Sequence, residues 1–242
     1  MNKKLTVILA SIFIPVFSIV TVSEAQTMKS EGLNAKQEKT VTIAAFTASG
    51  DLQKLKTALN EGLDAGLTVN EIKEILVQLY AYAGFPRSLN SINTFIGVLE
   101  EREQKGVKDE LGKEPSPMPA NKSSIELGTE IQTKLIGAPA TGKYITFAPA
   151  IDRFLKGHLF GDIFGRDNLD FQSREIATIS ALANMDGGVN PQLESHFNIG
   201  FNTGLTETQM RSLISVLDAK VGKKEADNAN EILNKVLSSR PK

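Results

Sequence analysis

Apolar residues recur along this chain with the period of a helix. Ile72, Ile75, Leu76 and Leu79 form one stripe at i, i+3, i+4 and i+7 spacing, and Met210, Leu213, Ile214 and Leu217 form a second with the same spacing. Each stripe opens on a capping box, Thr68 with Glu71 and Thr206 with Gln209. Each box follows a glycine, Gly66 or Gly204, suited to the left-handed conformation that closes a preceding helix. Further helical spacing links Ile176, Ile179 and Leu182, and Phe160, Ile163 and Phe164. Alternation of period two is scarce, with Tyr144–Phe147 the best strand candidate. The pattern predicts an all-α fold.

The two stripes belong to a longer internal likeness. Leu55–Asn90 and Leu193–Asn228, offset by 138 residues, are identical at ten of 36 positions, where unrelated segments share about two. Thr42-Ile43-Ala44-Ala45 and Thr178-Ile179-Ser180-Ala181 extend the likeness upstream after a two-residue gap. Each half reads as helix, turn, helix, Gly-Leu-Thr turn, helix and a last helix. This divides the chain into a first repeat over 40–105, a linker over 106–149 rich in Pro, Gly and charge, and a second repeat over 150–238.

The N-terminus has its own character. Lys3 and Lys4 precede an apolar run, Leu5 to Val22, interrupted by Pro15, and Ser23-Glu24-Ala25 offers small residues at the two positions that a signal peptidase reads. A signal peptide over 1–25 is therefore expected, then a polar, mobile lead-in over 26–39. The mature protein would be periplasmic or secreted, with no membrane attachment once the signal is removed.

Composition narrows the chemistry. Hydrophobic residues make up 41% and charged ones 23%, a globular balance rather than a disordered one. A net charge of −1 supplies no general attraction to nucleic acid. The chain has no Cys, which removes disulfides, thiolate metal sites and thiol nucleophiles. With two His and no metal-ligand spacing, no metal site is expected.

The blocks Gly66-Leu67-Thr68 to Glu71-Ile72, Gln78-Leu79-Tyr80-Ala81-Tyr82-Ala83-Gly84-Phe85-Pro86, Arg174-Glu175-Ile176 and Gln192-Leu193-Glu194-Ser195-His196 resemble the carboxymuconolactone decarboxylase family of the alkyl hydroperoxidase D-like superfamily. The resemblance implies a duplicated helical unit, assembly into a homo-oligomer (a trimer or hexamer), and cofactor-free decarboxylation or a related lyase reaction on a small organic acid or lactone. It also matches Glu175 and His196 to the family's proton-handling Glu and His. The peroxidase relatives add a Cys pair, but Val189 and Gln192 stand at those positions, so nothing here can attack a peroxide as a thiolate. The first repeat has Ala58 where the second has His196. Other outcomes of the resemblance are an antioxidant activity, or a non-catalytic envelope protein that binds a small ligand.

Read by their chemistry, the candidates take distinct roles. His196 is a candidate general acid or base, since free imidazole exchanges protons near neutral pH. Glu175 lies on an apolar helix, where a sheltered carboxylate can exchange protons. His158 shares the stripe of Phe160, Ile163 and Phe164 and is expected on a buried face, binding a substrate carboxylate or carrying a second proton. Arg166 and Arg174 are candidate clamps for an anionic substrate, since a guanidinium pairs bidentately with carboxylate. Tyr82 and Arg87, in a block richer in aromatics than its copy, are expected to line the substrate pocket.

Overall fold

A computed structural model describes residues 32–185 and 187–240. The expected signal peptide and residues 26–31 of the lead-in lie outside the described residues. The helices are α1 (Ala35–Ser49), α2 (Leu52–Asp64), α3 (Val69–Ala83), α4 (Phe85–Gln104), α5 (Ser124–Ile136), α6 (Lys143–Phe147) and α7 (Pro149–Phe154). A π-helical stretch, Leu155–Ile163, leads to α8 (Phe171–Ala183), and a 3-10 turn at Gly187–Val189 precedes α9 (Asn190–Asn202), α10 (Glu207–Lys220) and α11 (Lys223–Ser239). No strand occurs among the described residues, and none of their helices is long and apolar enough to cross a membrane. The fold is all-α.

The duplicated unit is visible in its hydrogen bonds. α1–α4 recur as α8–α11. At the shared Gly-Leu-Thr turn, Gly66 and Gly204 take φ of 90° and 96°. Leu67 N–H bonds the Gly62 carbonyl at 2.9 Å and Leu205 N–H bonds the Gly200 carbonyl at 3.0 Å. These six-to-one bonds occupy carbonyls that the helix end leaves open. Both capping boxes then form, Thr68 with Glu71 and Thr206 with Gln209. Thr206→Ala is expected to cost about 1 kcal/mol, read as a lowered urea midpoint at unchanged slope.

The two units share their interiors through a central pair of helices. Every residue of α1 from Thr40 to Ala48 is buried, and so is every residue of α8 from Arg174 to Ala183. Helices buried on all sides must be covered by neighbours on all sides. α1 and α8 accordingly pack on each other. Ala177 and Ala181 of α8 enter the core built by Ile43, Leu55, Leu59, Ile75 and Leu79. Val41 and Ala45 of α1 enter the core of Ile176, Leu193, Phe197, Leu213 and Leu233. Small side chains at the crossing let the two backbones approach.

Three details differ from the sequence reading. α1 starts at Ala35, inside the expected lead-in, because Asn34 and Gln37 form a capping box. The expected linker holds α5, capped by a third box, Ser123 with Glu126, so that part of the segment is a packing element rather than a loop. Tyr144–Phe147 is helical, with no neighbouring strand to pair with.

α5 lies against the π-helical stretch at a crossing lined by glycines. A Cβ on Gly128 would collide with the Lys156 carbonyl and come within 2.6 Å of the Gly161 nitrogen, and one on Gly161 would strike the Ser124 carbonyl. Backbone cannot yield as a side-chain tip can. Gly128→Ala is expected to lower stability by about 1–3 kcal/mol in urea unfolding, by forcing α5 off this contact.

Candidate functional site

Asp170 caps α8 by accepting from Ser173 N–H at 2.7 Å, which sets Arg174 and Glu175 in the first turns of a buried helix. Pro191 starts α9, and Leu193 and Phe197 turn one face of that helix into the core. His196 comes with them. Its Nδ1 lies 2.8 Å from Glu175 Oε2, where the carboxylate is wholly buried and the histidine is 7% exposed.

With Nδ1–H donated to the carboxylate, the Nε2 lone pair is left as a proton acceptor, and the carboxylate stabilises the imidazolium that results. The other Glu175 oxygen, Oε1, is buried and meets no hydrogen-bond partner. Buried polar atoms are normally paired, so this orphan beside a histidine is an exception to the rule.

Tyr82, near the end of α3, completes the group from the first repeat. Its ring stands edge-on to His196, with centroids 5.3 Å apart at 78°. Its hydroxyl is buried without a well-formed hydrogen bond, although Thr178 lies beside it. Burial first, and then the Glu175 carboxylate, push the phenol far above its ordinary value of 10.0, so it stays protonated. Below about pH 10 the folded and unfolded chains both hold this proton. Above it, the unfolded chain ionises first and stability falls. An ultraviolet titration is expected to show one tyrosine ionising only as the protein unfolds in alkali, and Tyr82→Phe removes that phase.

A buried ionic network ties the two repeats together next to this group. The Arg174 guanidinium, with no exposure, donates through Nη1 to Gln78 Oε1 at 2.8 Å, and through Nη2 to Glu74 Oε1 at 2.9 Å and the Arg166 carbonyl at 2.7 Å. Phe164 lies 5.5 Å under it. Arg166 Nε donates to both Glu74 oxygens at 3.1 and 2.9 Å, and Gln78 Nε2 donates to Thr178 Oγ1 at 2.8 Å. Burial lowers the pKa of Arg174, and Glu74 opposes the shift.

Of the residues singled out in the sequence, Glu175, His196 and Tyr82 meet. Arg174 adjoins them but is not an anion clamp, because both its terminal nitrogens are held by the protein's own acceptors. Arg166 leans on Glu74 from a half-exposed position, with its side chain 42% accessible. His158 is not on a buried face. Its side chain is 50% exposed, and its Nδ1 lies 3.0 Å from Asp162 Oδ2. Arg87 is exposed on α4.

Glu74 and Gln78 escaped the sequence reading. The signal was there: positions 74, 78 and 82 fall on one line of α3, polar residues at i, i+4 and i+8 beside the apolar stripe. Among the described residues no group of three or more His, Cys, Asp or Glu could hold a metal ion.

A model of the carboxymuconolactone decarboxylase family matches residues 20–95. That span takes in α1–α3 and with them Glu74, Gln78 and Tyr82, while Glu175 and His196 lie beyond it. An uncharacterized 15.0 kDa protein in the nqo9-nqo10 intergenic region of Paracoccus denitrificans is 30% identical over 82 residues, covering 33% of this chain and 61% of that protein. The chain thus spans about three-fifths of the length of the curated relative it matches.

Proposed function

Starting from a chain that carries a carboxymuconolactone decarboxylase family domain, we propose that it performs cofactor-free acid–base chemistry, a decarboxylation or related lyase step, on a small organic acid or lactone. The supporting observation is the buried Glu175–His196 pair at 2.8 Å, with a phenol held protonated beside it. Losing CO2 breaks a C–C bond and leaves its electron pair delocalised as an enolate. That carbon must then be protonated. The His196 imidazolium delivers the proton from Nε2, Glu175 holds the ring and offsets its charge, and the Tyr82 hydroxyl donates a hydrogen bond to developing negative charge. His196 regains its proton from water.

On this reading the second repeat supplies the proton carrier and the first supplies Tyr82. Export by the N-terminal segment and self-association belong to the same proposal. Phe85 and Leu89, 61% and 55% exposed on α4, are apolar side chains of the kind that interfaces between copies cover.

The test is CO2 release from carboxymuconolactone by the purified protein. Turnover by the wild type, with loss of most of it in Glu175→Gln at unchanged circular dichroism, supports the reading. No release from this or related lactone acids, or equal turnover by the variant, overturns it.

A further inference from the structure

A cleft of about 380 Å³ opens between α3 and α4, closed on one side by Glu114 and by Arg166 and Asn168. It is distinct from the Glu175–His196 pair, which does not line it. Its volume lies in the range of small-molecule sites. Leu76, Val77, Ile92, Phe95, Ile96 and Leu99 make an apolar floor and walls. Phe95 is buried at 2% exposure, while Ile96 is 49% exposed and Val77 36%. The cleft therefore leaves apolar surface uncovered beside a charged rim.

Lys73 and Arg166 face Glu74 and Glu114 across the cleft, and the buried Arg174 beside Glu74 tips this balance toward positive charge. Glu74 is already matched by the buried Arg174 at 2.9 Å. Glu114 Oε1 accepts from Asn70 Nδ2 at 2.9 Å, and among the described residues Lys73 Nζ reaches only Asn70 Oδ1 at 3.4 Å. Arg166 uses its Nε on Glu74, and its Nη1 and Nη2 have no partner among the described residues. Glu74 thus fixes the guanidinium by one edge and leaves the other edge free, the arrangement that receives a carboxylate through two parallel N–H bonds.

We propose that this cleft binds a small amphipathic monocarboxylate, its carboxylate on the free edge of Arg166 and its apolar body against Phe95, Ile92 and Ile96. Lys73 adds a second positive charge at the mouth. The site stands independently of the proton chemistry described above.

Octanoate titrated calorimetrically into the purified full chain is the test, with octanol as the uncharged comparison. Octanoate is expected to bind one site and octanol at least tenfold more weakly. Arg166→Gln and, separately, Ile96→Glu are each expected to weaken octanoate by tenfold or more, with Arg166→Lys recovering part of the loss. Ile96 is half-exposed, so its variant tests the cleft even where Arg166→Gln disturbs Glu74. His196→Ala is expected to bind octanoate unchanged, which separates this site from the proposed reaction. Absence of binding (for instance because a second copy covers the cleft), equal affinity for octanol, or equal binding by both cleft variants would overturn the proposal.

Discussion

Glu74→Ala is expected to destabilise the protein by about 3–5 kcal/mol, a large part of the stability of a typical domain. The reason is what remains. Arg174 has no exposure and Glu74 2%, so removing the carboxylate leaves a guanidinium in the interior with only Gln78 and a backbone carbonyl to face. Removing both charges is a different experiment. Glu74→Leu with Arg174→Met replaces a desolvated pair by apolar volume and is expected to regain more than half of the loss, since a buried ion pair contributes little over a well-packed apolar substitute. Urea unfolding checks both variants. An unchanged midpoint for Glu74→Ala would show that Arg174 does not depend on this partner.

His196→Ala is expected to lower kcat on a verified lactone acid by about 10²- to 10⁴-fold, the usual contribution of a positioned proton donor or acceptor. The substitution removes the imidazole and strands the buried Glu175 carboxylate, so a stability measurement must accompany it. His196→Gln retains a hydrogen-bond donor for Glu175 Oε2 but carries no titratable proton. Equal activity losses in the two variants with unequal stabilities assign the effect to chemistry. Full turnover by His196→Gln would remove the histidine from the reaction.

Sequence periodicity captured the elements that bury one stripe. α3 and α10 stand where their apolar spacing and capping boxes put them, and Gly66 and Gly204 close the helices before them with positive φ. The meeting of Glu175 with His196 was legible only through resemblance, because 21 residues and a turn separate them in the chain. His158 shows the limit of stripe reasoning. Its neighbours Phe160 and Ile163 are buried, but at roughly 100° per residue position 158 falls about 160° around the helix from Phe160, on the side away from that stripe. Arg174 failed for another reason. A charged residue inside an apolar helix reads equally well as a ligand clamp or as half of an internal pair, and its partner, Glu74, comes from the other repeat. Pairings that cross 100 residues leave no mark in local spacing.

The exchange of small residues between α1 and α8 carries one more consequence. In an assembly of identical halves every substitution is made twice, so a proton carrier cannot be added to one side alone. Joining the halves into one polypeptide lifts that symmetry while the interlocked cores keep the partners matched. Ala58, buried at 3% exposure, and His196 occupy corresponding places, so the imidazole stands in one half alone.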